Sequence, residues 1–290
     1  MKVLITGATG QIGKALHSSS PENLEVRALN RSSLDIADAA AVQAVVSDWR
    51  PGLIINAAAY TAVDKAESEQ QLAYAINAHG PEHLARAAAR LPDCRMIQIS
   101  TDYVFDGTSS RPYRPSDVTR PINVYGQSKL RGEQAVCEHM RGRALVLRTA
   151  WVYAPQGNNF LRTMLRIMQH GTARVVADQR GTPTTAASIA AVIWSLAGLD
   201  LRGTFHWTDG GAATWYDFAM AIAEEGHIAG LLPPRVQVTP IATADFPTAA
   251  RRPASSVLDI TETCARLGVT PIPWRQRLHE TIAHIKREAA

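Results

Sequence analysis

The chain has 290 residues, of which 46% are hydrophobic and 19% are charged, and it carries a formal net charge of +4. This composition excludes a disordered chain and supplies enough apolar residues for the core of a large α/β domain. The lysines and arginines are scattered along the chain rather than grouped in a stripe, so we expect no nucleic-acid partner. The apolar runs are far shorter than the ~20 residues that cross a membrane, and the first residues lack the apolar region of a signal peptide. We therefore expect a cytoplasmic protein without a membrane partner.

The first half of the chain alternates strand-like and helical segments. The sequence predicts strands at 2–6, 24–29, 53–59, 95–100 and 143–149, and helices at 12–19, 38–49, 70–90 and from about Asn123. Strand and helix follow each other through short connections. This alternation predicts an α/β fold with a doubly wound parallel sheet, of the Rossmann type.

Beyond residue 150 the pattern loosens into segments rich in proline and glycine. Helices are predicted at about 158–170, 185–198, 214–226 and 274–288, with a strand at 203–207. Loops of this kind carry ligand contacts more often than core residues. We therefore predict a Rossmann domain over 1–150, with returning segments near 178–207, and a smaller, mainly substrate-binding lobe over 151–290.

A glycine-rich turn, GATGQIG, joins the first strand to the first helix. Gly7, Gly10 and Gly13 would let the backbone approach a pyrophosphate closely, at a helix end with a partial positive charge. Three glycines alone also suit a tight turn. Their position at the first strand-to-helix junction favours a dinucleotide-binding site.

The end of the second strand bears on which dinucleotide binds. Asn30 stands where NAD-selective folds carry an acidic residue, and it has no charge to repel a 2′-phosphate. Arg31 could pair with that phosphate, or it could be a solvated loop residue. NADPH is therefore permitted. Asp35 and Ile36 are expected near the adenine, while small residues from Ala57 to Ala59 suit either cofactor contact or helix packing.

Tyr125 and Lys129 are four residues apart on a predicted helix, so their side chains share one face. A phenol has a pKa near ~10, and a neighbouring ammonium group is expected to lower that pKa toward the working range. This pair suits carbonyl reduction, in which the phenol delivers a proton to the oxygen as hydride reaches the carbon. A hydroxyl such as that of Thr101 would hold the oxygen in place.

Several longer motifs carry a resemblance to a known family. They are GATGQIG, INAAAYTAVDKAESE, STDYVFDG, INVYGQSKLRGE, RTAWVYAPQGNNF, DQRGTPT, TWYDFA and RRPASS. With them the chain resembles the extended short-chain dehydrogenases/reductases and, more narrowly, the dTDP-4-dehydrorhamnose reductase family. The resemblance implies reduction of the 4-keto group of dTDP-4-dehydro-L-rhamnose by NADPH, with NADH also accepted, as the last step of dTDP-L-rhamnose synthesis.

The resemblance also implies roles for individual residues. Tyr125 would donate the proton, Lys129 would bind the nicotinamide ribose and tune the tyrosine, and Thr101 would contact the carbonyl oxygen. The expected cofactor site comprises, besides Tyr125 and Lys129, Gly7, Gly10, Gln11, Ile12, Gly13, Asn30, Arg31, Asp35, Ile36, Ala57, Ala59, Tyr60, Thr61 and Ile99. The expected substrate site comprises Thr101, Asp102, Tyr125, Trp151, Asn159 and Arg252.

Some members of this family join two subunits through magnesium held by glutamates. Ala15, Ala187 and His284 stand at the aligned positions and cannot form a carboxylate site. The three cysteines are also far apart and in no metal-binding spacing. We therefore predict no metal, and a monomer or weak homodimer that is not bridged by magnesium.

Alternatives of two classes remain, other enzymes of the same superfamily and a non-catalytic protein. Related 4,6-dehydratases carry Asp then Glu after the threonine, whereas this chain has Asp102 and then Tyr103, which argues against elimination. Epimerisation is harder to exclude because it uses the same tyrosine and cofactor. A non-catalytic NADP-binding protein is the other alternative, since the regulatory subunit of methionine adenosyltransferase resembles this family. The intact Tyr125, Lys129 and Thr101 argue against it.

Overall fold

The computed structural model describes residues 1–289. Its strands are β1 (Lys2–Thr6), β2 (Glu25–Leu29), β3 (Leu53–Asn56), β4 (Arg95–Thr101), β5 (Ala144–Thr149), β6 (Val152–Tyr153), β7 (Thr172–Val176), β8 (Arg180–Gly181), β9 (Thr184–Thr185), β10 (Gly203–His206), β11 (Ala213–Thr214) and β12 (Gln237–Ile241). Its α-helices are α1 (Gln11–Ser18), α2 (Ala39–Trp49), α3 (Val63–Ala66), α4 (Gln70–Tyr74), α5 (Gly80–Ala89), α6 (Val124–Met140), α7 (Phe160–Met168), α8 (Ala186–Ala197), α9 (Trp215–Ile228), α10 (Thr261–Leu267) and α11 (Trp274–Ala289).

Six parallel strands form the central sheet, in the order β10-β5-β4-β3-β1-β2. The chain moves to one side of β1 to form β2 and then to the other side to form β3. Ligands of such sheets bind where the strand order reverses, in the crevice at the carboxyl ends of the strands. The predicted doubly wound parallel sheet is thus confirmed, and the crevice lies between the ends of β1 and β3.

The alternation of side chains along the strands builds two cores. On one face, residues such as Ile5, Ile55 and Leu147 pack with α1 and α8. On the other face, residues such as Leu4 and Ile54 pack with α2, α5 and α6. Successive strand residues point to opposite faces, and because helices cover both faces, the strands read as continuous apolar runs in the sequence.

A third core lies in the C-terminal part of the chain. It joins α7, α9 and α11 to the parallel pair β7 and β12, which was not predicted. Two segments from beyond residue 150 belong to the main sheet instead, since α8 packs on it and β10 extends it. The exact division into two lobes stays a prediction.

The helix predicted at 70–90 contains a π-helical turn. Residues Ala75–His79 form this turn between α4 and α5, just before the Gly80-Pro81 pair. Asn77, at its centre, accepts a hydrogen bond from the backbone N–H of Tyr60 and donates one to the Tyr60 carbonyl, at 2.8 and 3.0 Å. The π turn therefore fixes the segment that follows β3 at the edge of the crevice.

Among the helices of residues 1–289, none combines the length and the apolar character that a membrane crossing requires.

Because α6 packs closely on the π turn, we expect one added methyl group at their contact to lower the stability of the fold. A Cβ atom on Gly132 would lie 2.1 Å from the Asn77 carbonyl oxygen. We expect Gly132→Ala to lower the free energy of unfolding by about 1–3 kcal/mol in urea denaturation, because the helix would have to move away.

Gly198, at the end of α8, is the matched control. A Cβ atom there would meet its nearest neighbour at 3.5 Å, and its φ of −74° suits alanine. Gly198→Ala should change the free energy of unfolding by less than about 0.5 kcal/mol. Equal losses in the two variants would contradict the role assigned to Gly132.

Candidate active site

A cavity of about 510 Å³, here called the first cavity, opens at the carboxyl edge of the sheet. It brings together many residues that are far apart in the sequence. Those predicted for the site that line it are Gly10, Gln11, Ile12, Ala57, Ala59, Thr61, Ile99, Thr101, Asp102, Tyr125, Lys129 and Trp151.

The glycine turn forms one end of this cavity. Gly7 has a φ of +72°, which favours glycine, and a Cβ atom on Gly13 would lie 2.1 Å from the Gly7 carbonyl oxygen. Gly10 donates its backbone N–H to that same oxygen at 3.0 Å. The turn is therefore compact, and it directs the first N–H groups of α1 toward the cavity, where they could bind a pyrophosphate.

Helix α6 carries Tyr125 and Lys129, and its first turn is tightly held. The Asn123 side chain accepts a hydrogen bond from the Gly126 N–H at 2.8 Å, and Glu67 accepts one from the Val124 N–H at 2.9 Å. A Cβ atom on Gly126 would lie 2.1 Å from the Tyr103 carbonyl oxygen. This close approach sets the helix directly against the segment that follows β4.

Lys129 is buried at the wall of the cavity. Its ammonium group donates to the Ile99 carbonyl oxygen at 2.7 Å. Burial lowers the pKa of Lys129 to about 8, although the carboxylate of Glu133, one helical turn further, acts in the opposite direction. At neutral pH the group is therefore still charged, with its position fixed by the strand backbone.

Tyr125 lies half-buried beside Thr101. Burial raises the pKa of its phenol to about 12; a hydrogen bond with the Thr101 side chain lowers the pKa and the charge of Asp102 raises it. The sequence predicted a lowered pKa, and the net shift is in the other direction because loss of water outweighs the other influences. The phenol is thus fully protonated at neutral pH, as a proton donor must be.

Asp102 is a buried carboxyl group next to these residues. Burial raises its pKa to about 6, against the neighbouring hydroxyls of Ser256 and Thr101, which lower it. The Thr101 hydroxyl donates to Asp102 Oδ1 at 3.0 Å, whereas Oδ2 has no hydrogen-bond partner among residues 1–289. Asp102 can therefore still accept a hydrogen bond from a ligand.

Two tryptophans line the cavity side by side. Trp151 and Trp215 are stacked, with ring centroids 3.5 Å apart and planes 3° from parallel. Trp151 has a φ of +46°, and a Cβ atom on Gly181 would lie 2.4 Å from the Trp151 ring. Sequence reasoning missed Trp215. The available signal was the motif TWYDFA, in which Thr214 and Asp217 form a capping box that begins α9 at this tryptophan.

Four predicted cofactor residues lie outside the lining of the first cavity, on the loop after β2. Asn30 accepts hydrogen bonds from Ser32 and Ser33. Arg31 and Asp35 form an exposed ion pair at 3.5 Å, and Ile36 packs beneath Gly80. This loop adjoins the glycine turn, since the Ala8 N–H donates to the Leu29 carbonyl oxygen at 3.1 Å.

Tyr60 is also outside that lining. Its hydroxyl donates to Glu69 at 2.7 Å, and this hydrogen bond is the largest cause that raises the pKa of Tyr60 to about 12. Its backbone is the one held by Asn77. The roles predicted for Tyr60 and for the loop after β2 stay predictions.

Asn159 connects the start of α7 to the glycine turn. Its Oδ1 accepts from the Arg162 N–H at the start of α7, at 3.0 Å. Its Nδ2 donates to Gln11 Oε1 at 2.8 Å and to the Ala154 and Gln156 carbonyl oxygens at 2.9 and 3.3 Å. Asn159 does not line the first cavity, and it contacts Gln11, which does.

A second cavity, of about 290 Å³, contains Arg252. Tyr103 and Trp215 line both cavities, so the two are adjacent. The other residues around the second cavity are Asp64, Phe160, Met164, Arg174, Val175, Val176, Gln179, Phe246 and Thr248. Arg252 is paired with Asp64, with both oxygens of the carboxylate 2.6 Å from the guanidinium.

A third cavity, of about 550 Å³, contains Ala15, Ala187 and His284, the positions compared above with magnesium-binding glutamates. Within residues 1–289 no group of three or more His, Cys, Asp or Glu side chains could hold a metal ion. That this chain binds no metal stays a prediction.

Comparison with known proteins adds to this geometry. A family model described as the RmlD substrate binding domain matches residues 1–287. A dTDP-4-dehydrorhamnose reductase from Aggregatibacter actinomycetemcomitans is 40% identical over 292 aligned positions, which cover 98% of this chain and 99% of the relative.

Solved structures agree with that match. A dTDP-4-dehydrorhamnose reductase from Clostridium acetobutylicum has a TM-score of 0.93 at 39% identity and covers 99% of this chain and 100% of its own. One from Bacillus anthracis, in complex with NADP, has a TM-score of 0.91 at 38% identity, with 98% of this chain and 99% of its own covered.

The buried Asp102 predicts a stability effect that depends on pH. Its pKa of about 6 lies above that of an unfolded chain, so the folded state loses stability as pH rises through the window between the two values. Asp102→Asn resembles the protonated acid. Between about pH 4 and about pH 8 the variant should gain on the order of 2 kcal/mol in free energy of unfolding relative to wild type.

Urea denaturation of both proteins at the two pH values measures this difference. Asp117→Asn is the control, because the Arg111 guanidinium lowers the pKa of Asp117 to about 2. That carboxylate is charged over most of the range from pH 4 to pH 8, so the difference between Asp117→Asn and wild type should be nearly the same at both pH values. A difference between wild type and Asp102→Asn that is the same at both pH values would contradict the prediction.

Proposed function

The chain belongs to the RmlD substrate binding domain family, that of the dTDP-4-dehydrorhamnose reductases, and from this premise we propose that it reduces the 4-keto group of dTDP-4-dehydro-L-rhamnose to dTDP-L-rhamnose. NADPH would supply the hydride and Tyr125 the proton. The observation that carries the proposal is the meeting of Tyr125, Lys129 and Thr101 in one cavity that begins at the glycine turn.

The cofactor is proposed to run along the first cavity. Its pyrophosphate would lie at the N-terminus of α1, beside Gly10, Gln11 and Ile12, where backbone N–H groups and the helix dipole favour anions. Its nicotinamide ribose would then reach Lys129. The fit is supported by the small side chains of Ala57 and Ala59, which leave the floor of the cavity open.

The chemistry follows from the charges of the site. As hydride adds to C4 of the sugar, negative charge develops on the carbonyl oxygen, in surroundings where burial makes a charge costly. The Tyr125 phenol, protonated at neutral pH, would donate its proton to that oxygen. The Thr101 hydroxyl would hold the oxygen in place, and the Lys129 ammonium would stabilise the phenolate that remains.

The sugar nucleotide is proposed to span the first and second cavities. Its sugar ring would lie against the indoles of Trp151 and Trp215, whose apolar surface suits the C–H face of a sugar. Asp102 would accept a hydrogen bond from it. The nucleotide would extend past Tyr103 toward Arg252. Asn159 is proposed to support the substrate indirectly, through its hydrogen bond to Gln11.

The alternative reactions are less well supported. Elimination needs an acid where this chain has Tyr103, and burial raises the pKa of that phenol above its usual value. An epimerase would use the same Tyr125 and cofactor, so NMR of the product sugar, which reports the configuration at C4, distinguishes the two. We propose a monomer or weak homodimer that is not bridged by magnesium.

Tyr125→Phe tests the proposed proton donor. We expect kcat to fall by about 10² or more, because the alkoxide would lose its proton source, while the Kd of NADPH changes little. The assay follows loss of reduced-nicotinamide absorbance, with the 4-keto sugar nucleotide made by the upstream enzymes.

Tyr103→Phe is the comparison, since this phenol lies edge-on to Tyr125 with ring centroids 5.8 Å apart. Its loss should appear mainly in KM and stay below about tenfold in kcat. Full activity of Tyr125→Phe would remove the assigned donor. A wild type that binds NADPH or NADH yet consumes neither would overturn the enzymatic function itself and favour a non-catalytic NADP-binding protein.

Arg31→Ala tests the proposed preference for NADPH. If the guanidinium pairs with the 2′-phosphate, the Kd of NADPH should rise about tenfold and that of NADH by less than about twofold. Fluorescence titration with each cofactor measures both values. Parallel changes for the two cofactors would show that Arg31 is a solvated loop residue, consistent with its exposed ion pair with Asp35.

A further inference from the structure

The second cavity holds an ion pair that the reaction does not explain. We propose that Asp64 is a positioning residue, which holds Arg252 so that one edge of its guanidinium faces the diphosphate of the sugar nucleotide. This inference rests on the proposed function, because it describes how the same site engages its substrate.

The hydrogen bonds of Arg252 determine which edge of its guanidinium can face a ligand. Nη1 donates to Asp64 Oδ1 and Nη2 donates to Asp64 Oδ2, both at 2.6 Å. Nη1 also donates to the Ala250 carbonyl oxygen at 2.8 Å. These bonds use three of the five N–H groups of a guanidinium. The other two, on Nε and Nη2, share one edge of the planar fork, and such an edge can bind two phosphate oxygens at once.

Asp64 also fixes the backbone that carries Arg252. Its Oδ1 accepts a hydrogen bond from the Ala250 N–H at 3.0 Å. Asp64 itself belongs to α3, whose first residue, Val63, lines the first cavity. The carboxylate therefore joins the segment that borders the cofactor to the segment that presents the cation, and it sets the distance between the two.

The surroundings of the pair suit an anionic ligand. The Arg252 side chain is 18% exposed and that of Asp64 is 44% exposed, so the cation is the inner partner. Arg174 lines the same cavity and adds positive charge. The Arg252 guanidinium lowers the pKa of Asp64 through their hydrogen bond, so the carboxylate stays charged at neutral pH.

Arg252 lies at the passage between the cavities. The Tyr103 side chain adjoins its guanidinium, and Tyr103 lines both cavities. A diphosphate held there would have the sugar on the side of Tyr125 and the nucleoside on the side of Phe246. The orientation of one arginine thus determines how tightly the diphosphate is held.

Asp64→Asn is the direct test, because it keeps the size of the side chain and an oxygen for the Ala250 N–H. Asp117→Asn is the matched control: Asp117 also binds an arginine, Arg111, through both oxygens at 2.8 Å and accepts a backbone N–H, from Arg114. It lines none of the three cavities described above.

For Asp64→Asn saturated with NADP⁺, calorimetry should show a rise of about tenfold in the Kd of dTDP. KM of the 4-keto sugar nucleotide should rise by a similar factor, with kcat and the Kd of NADPH within about twofold of wild type. Asp117→Asn should leave all four values unchanged. A merely structural role would lower stability without this separation of KM from kcat.

An Asp64→Asn variant whose Kd for dTDP is unchanged, or tighter because Asp64 competes with the phosphate, overturns the proposal. Arg252→Lys provides a second test if Asp64→Asn does not fold. It keeps the charge but lacks the planar edge, so it should also weaken dTDP binding about tenfold.

In the Arg252→Lys background, Asp64→Asn should raise the Kd of dTDP further by less than about twofold. A full additive loss would show that the two residues do not act together. If wild type binds no dTDP and reduces no 4-keto sugar, the proposed function fails instead, and the two failures are distinguishable.

Discussion

The close approach of α6 to the carboxyl end of β4 is the constraint on which the candidate site depends. At Gly126 a methyl group would lie 2.1 Å from the Tyr103 carbonyl oxygen, just after β4, and on the same helix a methyl group at Gly132 would lie 2.1 Å from the Asn77 carbonyl oxygen in the π turn. Because the helix lies so near, Lys129 reaches the strand backbone and Tyr125 lies beside Thr101. Backbone packing therefore places Tyr125 and Lys129 relative to Thr101 and to the strand backbone.

Burial shifts the ionisable groups of the site toward their neutral forms. The pKa of Tyr125 and that of Asp102 are raised, whereas that of Lys129 is lowered. In such surroundings a free alkoxide is strongly disfavoured. Proton delivery and hydride addition are then expected to be closely coupled, which is consistent with a donor that holds its proton firmly until the oxygen becomes basic.

The sequence was sufficient for much of this description. The alternation of apolar, strand-like runs with segments of helical periodicity predicted the parallel sheet. The four-residue spacing predicted that Tyr125 and Lys129 share one face of a helix. Both signals are properties of short segments of the chain. The stack of Trp151 on Trp215 and the pairing of β7 with β12 join residues more than 60 apart in the chain. Periodicity carries no information about such contacts. The raised pKa of Tyr125 was mispredicted because burial cannot be read from spacing.

The hydrogen bonds of Asn159 bear on how ligands enter. One amide group is joined to Gln11 on the sheet side and to the start of α7 and the Ala154 loop on the other side. A hinge through this point would break bonds on both sides at once. These hydrogen bonds oppose separation of the start of α7 from the glycine turn, so we expect this end of the first cavity to keep its width when a ligand enters.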